Sequence, residues 1–183
     1  MTFSVDDIRS QLVAGGARPT LFSVQITNPG DSSGDQKLPF LCEASSIPEA
    51  TLGTIEVPYF GRRIKLAGDR SYAPWSVTII NDEDFKIRNA MEIWSNKINS
   101  FVGNLRTFGS AAPSLYKSEA MVTQYGKAGD TIRIYQFSGL WPAAVSNMDV
   151  RWGDVDQIER FSVQFQYDYW TISGGSTGDG GGS

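Results

Sequence analysis

The chain has 183 residues, 40% of them hydrophobic, 12% aromatic and 20% charged, the proportions of one folded soluble domain rather than a disordered or membrane-spanning chain. Histidine is absent and Cys42 is the single cysteine, so one chain cannot assemble a Ser-His-Asp triad, a Cys-His dyad, a histidine zinc site or a cysteine cluster. Twenty acidic against sixteen basic residues leave a formal charge of -4, which disfavours a surface built to grip phosphates.

Ser4 and Asp7 resemble a capping box, and Ile8 and Leu12 lie one helical turn apart before Gly15 and Gly16, so residues 4–14 are expected to form a short helix or arm. The same opening residues carry Asp6 and Asp7 and no continuous apolar run, so no secretion signal is expected there. Residues 21–27 alternate, with Phe22, Val24 and Ile26 on one side, and Leu38, Phe40 and Cys42 alternate again after a turn-rich polar stretch. These two runs are expected to pair as an antiparallel hairpin with a long polar tip at residues 28–37. Residues 44–61 hold Pro48, Gly53, Pro58 and Gly61 around an extended piece, 51–57, suited only to an edge. Strands are expected at 62–66 and 75–80, separated by a turn at 67–70.

The strongest helix signal starts at Asn81 or Asp82, with Glu83 and Asp84 at the positive end of its dipole and Asp84 placed to pair with Arg88. Its apolar stripe is Ile87, Met91, Trp94, Ile98 and Phe101, so one face packs on a sheet. A loop to about residue 114 precedes a second hairpin, 119–125 and 131–137 around a turn at 126–130, and closing strands at 145–152 and 158–170. Residues 173–183 contain six glycines in eleven positions and are expected to be a flexible tail.

No constellation makes a strong catalytic claim. Asp82, Glu83 and Asp84 read better as dipole complements than as a glycosidase pair. Asp149, Asp154, Asp156 and Glu159 lack the spacing of a calcium loop, and no cofactor is expected. The glycine-rich tail opens no helix and carries no following Lys-Ser or Lys-Thr, so it is no phosphate cradle. Cys42 reads as a small buried apolar residue, and its lack of an internal partner fits folding in a reducing cytoplasm. Arg62, Arg63 and Lys65, beside Tyr59 and Phe60, form the densest basic and aromatic cluster. Alternation separates Arg62 from the other two, which favours a solvated face or a subunit contact over nucleic-acid binding.

Three ordered blocks carry a family resemblance: residues 17–22 (ARPTLF), residues 64–72 (IKLAGDRSY) followed by 75–83 (WSVTIINDE) and the helix, and residues 139–142 (GLWP) with 167–170 (YDYW). Together they resemble the tail tube proteins of contractile-tailed bacteriophages, a family related to the tubes of R-type pyocins and type VI secretion systems. The resemblance implies a mainly β fold, a β-sandwich or partial barrel with one flanking α-helix, contributing strands to a hexameric ring barrel. It also implies rings stacked into a rigid tube inside a contractile sheath, polymerised from a baseplate to a length set by a tape-measure protein, conducting DNA. Two segments depart from the pattern, the extended polar tip at 28–37 and the tail beyond Trp170.

On this reading residues 1–172 are one tail-tube domain with an arm at 1–16, found in the virion and, during assembly, in the host cytoplasm. A tube of a phage-like injection system and a monomeric β-sandwich binding module are the alternatives. Contacts between rings are expected from the arm, through Asp6 and Asp7, and from Ile55, Val57, Tyr59, Arg62 and Arg63. Trp75, Ile87, Met91, Trp94, Ile98, Phe161 and Phe165 are expected in the core. Residues 158–170 place Phe161, Val163, Phe165, Tyr167 and Tyr169 on one face, and Gln164, Gln166 and Asp168 on the other. A face so poor in cations suits the wall of a water-filled channel through which DNA passes without stable binding.

Overall fold

Period-two alternation dominates the folded chain, and most of it is spent on antiparallel strands. The computed structural model describes residues 5–107, 112–153, 156–175 and 177, the side chain of Ala14 excepted. The chain opens with helix α1 (Val5–Gln11) and a 3₁₀ turn before strand β1 (Phe22–Ile26). A second 3₁₀ turn and the four-residue helix α2 (Leu38–Leu41) lead to β2 (Cys42–Ser45). Then follow β3 (Ala50–Tyr59), β4 (Arg62–Tyr72), β5 (Trp75–Ile80) and the long helix α3 (Lys86–Ile98). The short helix α4 (Pro113–Tyr116), β6 (Ser118–Tyr125), β7 (Thr131–Val145), β8 (Arg160–Gln166) and β9 (Tyr169–Ile172) complete the order.

Seven strands form one antiparallel sheet in the order β1-β6-β7-β8-β5-β2, with β9 added on β7, while β3 and β4 pair only with each other. The long strand β7 belongs to both halves of this sheet. Its first part pairs with β6 on one side and β9 on the other, and residues 141–145 pair with β8. The change of partner falls just beyond Gly139, whose φ of 71° is left-handed and where a Cβ would collide with the Asp168 carboxylate. The sheet thereby folds over a single core, and its ends β1 and β2 do not pair, so the barrel is not closed.

Val24, Ile26, Ala120, Val122, Phe137 and Leu140 line that core from one half, and Trp75, Val77, Ile79, Phe161, Val163 and Phe165 from the other. Trp75 stacks on Phe137 with ring centroids 4.4 Å apart, locking the halves together. Helix α3 buries Ile87, Ala90, Met91 and Trp94 against this core, and Ile98 packs at its margin. Asn28 fastens the polar stretch before α2 to the helix. Its buried side-chain amide donates to the Ala90 carbonyl at 2.9 Å, and its side-chain oxygen accepts from the N–H groups of Gly30 and Asp31. Gly30 lies so close that a Cβ would stand 2.9 Å from the Trp94 Cα. Gly30→Ala is therefore expected to destabilise the fold by about 1–3 kcal/mol, read as a lower urea midpoint at unchanged m.

Several expectations change. Residues 21–27 and 38–42 do not form a hairpin: β1 pairs with β6, and residues 38–41 are helical with Pro39 in the first turn. Over four or five residues an alternating run and one helical turn leave the same apolar marks, so Leu38 is buried in the core from a helix. Residues 67–70 continue β4 rather than turning, and the true turn is Phe60-Gly61. Gly53 and Gly68 face each other where the β3–β4 register shifts, so the glycine that reads as a turn serves a close backbone approach.

The helix starts at Lys86, not at Asn81 or Asp82, because residues 82–85 form a turn closed by the Phe85 N–H on the Asp82 carbonyl. Asp84 pairs with Lys37 and Lys86, and Arg88 pairs with Glu92 at 2.8 Å. Phe101 lies beyond the helix and is 73% exposed, so it leaves the stripe. Residues 146–152 carry no strand, and the expected strand 158–170 is divided at 167–168 into β8 and β9. Helix α1 lies within the short helix or arm expected at 4–14, whereas the short helices α2 and α4 were not expected. In the glycine-rich tail, the Ser173 and Thr177 N–H groups donate to the carbonyls of Ile134 and Ile132, while residues 176 and 178–183 lie outside the described residues.

Candidate functional site

The side chains that chemistry would need are held in structural roles. Burial pushes the Cys42 thiol up to about 12, so almost no thiolate exists at neutral pH. Asp82 and Asp84 both bind the Lys37 ammonium, and that contact together with the Lys86 N–H holds the Asp84 carboxyl down at about 2. Glu159 accepts from the buried Asn81 amide at 2.9 Å, and Asp149 lies 3.9 Å from Arg151. Asp154 falls outside the described residues. Among the described residues no group of three or more acidic or cysteine side chains is placed to hold a metal ion. Among the described residues no helix is long and apolar enough to cross a membrane.

The surface offers a different kind of site. The β3–β4 ribbon stands apart from the main sheet, and its register pairs Ile55 with Leu66, Val57 with Ile64 and Tyr59 with Arg62. Cross-strand partners share a face. One face of the ribbon is therefore apolar and rimmed by Arg62, and all five of its apolar side chains are exposed. The opposite face pairs Glu56 with Lys65 and Pro58 with Arg63, and Arg63 donates to Glu56 at 2.9 Å. A two-stranded ribbon with both faces in water is marginal by itself. Helix α1 is similar: Val5, Ile8, Asp6 and Asp7 are exposed, none of its residues is buried, and Arg9 lies 3.9 Å from Asp6.

The outer face of β8 is uncharged along its length after Arg160, which donates to Glu43 at 2.6 Å. Gln164 is exposed and stands opposite Ser76, Ser162 stands opposite Thr78, and Gln166 is half-buried opposite Trp141. Asp168 does not continue this row. It sits in the break between β8 and β9 and receives the Lys117 ammonium at 2.6 and 2.8 Å. The break also reverses the alternation, so Tyr169 is 49% exposed and Trp170 takes the inner position against Tyr135. Sequence reasoning missed Ser76, Thr78 and Ala144 as parts of the neutral face, because only the pairing register brings them beside Gln164.

An uncharged sheet face, a ribbon with an exposed apolar face and a helix α1 with no buried residue leave surface open to further contacts. Residues 17–173 match the family model of the phage tail tube protein. The chain belongs to the phage tail tube protein family. Its relatives include the tail tube protein gp19 of Enterobacteria phage T4, 34% identical over 168 residues that cover 91% of this chain and 98% of the T4 protein. The tail tube protein of Serratia phage KSP90 is 25% identical over 169 residues, 90% of this chain and 94% of that one. In fold, this tail tube protein is similar to a chain in the cryo-EM structure of the anti-feeding prophage tube-terminating cap, at a TM-score of 0.63 and 19% identity. That match covers 94% of this chain and 99% of the other. As a tail tube protein the chain is a structural component of the phage tail.

Proposed function

We propose that the protein assembles into hexameric rings that stack into the inner tube of a contractile tail, with sheath, baseplate and tape-measure proteins as partners. It conducts DNA without binding it stably and catalyses no reaction, and it is made in the host cytoplasm before joining the virion. The observation that carries this reading is the family match over residues 17–173 in a chain whose ribbon and arm are left uncovered in the subunit. Electron microscopy of the concentrated, purified protein tests it: rings or tubes are expected, and a single monomeric species at every concentration would overturn it in favour of a binding module.

Contacts between stacked rings come from the arm, with Asp6 and Asp7, and from Ile55, Val57, Tyr59, Arg62 and Arg63 of the ribbon. Gln164 and Gln166 face the lumen, where neutral side chains stay wet, and the cations Lys117 and Arg160 are already held by Asp168 and Glu43. A strongly acidic ring repels phosphates along the wall. In a Gln166→Cys variant, a bulky maleimide is expected to label the free subunit and to be excluded from tubes. Cys42 contributes little background, because its raised pKa keeps it protonated. Equal labelling of subunit and tube would remove Gln166 from the lumen.

A further inference from the structure

The tip of the β3–β4 ribbon is built against local preference. A two-residue hairpin turn with both central residues at positive φ favours Asn-Gly, yet here the residues are Phe60 at φ 41° and Gly61 at φ 80°. Phe60 is 92% exposed and meets the Tyr59 ring edge-on, with ring centroids 4.7 Å apart. A bulky aromatic in left-handed backbone, projecting into water, is costly on both counts, and such outliers cluster where a side chain makes a functional contact. Arg62, paired with Tyr59 at the base of the turn, has no ion pair among the described residues.

The same chain carries a cleft of complementary character. Between β1, β6 and α2 lies a depression of about 490 Å³ floored by Ile26, Pro39, Phe40 and Met121 and edged by Asp35 and Glu119, with no cation in its lining. Phe40 is itself 85% exposed, and the Glu119 carboxylate has no ion pair among the described residues. The depression beside the β6–β7 turn is also mainly apolar but includes Arg18 and Lys127, and the one at residues 147–160 includes Arg151 and Arg160. Each of these sets cations beside its acids, Asp130 in the first and Asp149 and Glu159 in the second, whereas the β1–β6–α2 cleft is edged by acids alone.

Resting on the reading of the protein as a stacking tube subunit, we propose that the ribbon tip of one copy docks in the β1–β6–α2 cleft of a second copy, with Phe60 on the apolar floor and Arg62 facing Glu119. The contact joins the most exposed aromatic of the ribbon to the apolar, cation-free cleft, and pairs two charges that the isolated subunit leaves uncompensated.

Four variants test it by the fraction of protein in tubes after sedimentation, confirmed by electron microscopy, with folding checked by circular dichroism. Phe60→Asn suits the turn better than the native residue, so the ribbon still folds. It is expected to raise the concentration needed for tubes by about tenfold or more. Arg62→Glu and Glu119→Arg are each expected to raise it by about tenfold, and the double swap to restore it to within about threefold of wild type. Wild-type behaviour of Phe60→Asn, or a double swap no better than its parents, would overturn the docking. A wild-type protein that forms neither rings nor tubes would instead overturn the tube reading itself.

Discussion

Trp94→Ala is expected to lower the stability of the folded subunit by about 3–5 kcal/mol, the range for removing a large aromatic from a packed core. Trp94 is fully buried, its ring lies 6.3 Å from that of Phe165, and its indole N–H donates to the Tyr116 carbonyl at 2.9 Å. Truncation removes apolar burial, leaves that carbonyl without its partner and opens a void where Gly30 presses on the helix backbone. Denaturant unfolding measures the loss. Phe101→Ala serves as the control, because Phe101 is exposed beyond the helix end and should change stability by less than about 0.5 kcal/mol. An unchanged midpoint for Trp94→Ala would mean that α3 does not seal the core.

Deleting residues 1–16 is expected to have the opposite profile, a subunit of unaltered thermal midpoint that forms no tubes. Helix α1 has seven residues, and isolated helices of fewer than about 12 residues are marginal in water. None of its residues is buried in its own subunit, so the deletion takes no core contact away. The exposed Val5 and Ile8 of the helix and Leu12 just after it gain burial only on a neighbouring copy. Calorimetry and electron microscopy on the same sample separate the two effects. Tubes forming at the wild-type concentration would show that the arm is no part of the assembly.

The assembly surfaces were only half legible in the chain. The prolines and glycines of residues 44–61 mark an extended piece suited only to an edge, and the alternation at 62–66 separates Arg62 from Arg63. Their joint meaning needed the register, which runs β4 on to Tyr72 and makes Ile55, Val57, Ile64 and Leu66 a single face. The cleft at Glu119 and Met121 was invisible, because its walls come from segments some 90 residues apart that meet only when β1 pairs with β6. Asp168 was misplaced for a related reason: a period-two reading carries a strand through any polar residue, and the Gly139 bend that receives Asp168 lies on another strand.

Composition alone excluded the histidine and cysteine chemistries, and local periodicity alone placed β5, the body of α3 and the β6–β7 hairpin, because those signals depend on a residue and its near neighbours. The helix at 38–41, the partner of β1, the division of β8 from β9 and the folding of one sheet over its own core were decided only in the tertiary structure. An alternating strand specifies which side is buried but not which strand lies beside it, and that choice is made by how Trp75, Phe137, Trp94 and Phe165 fill one common volume.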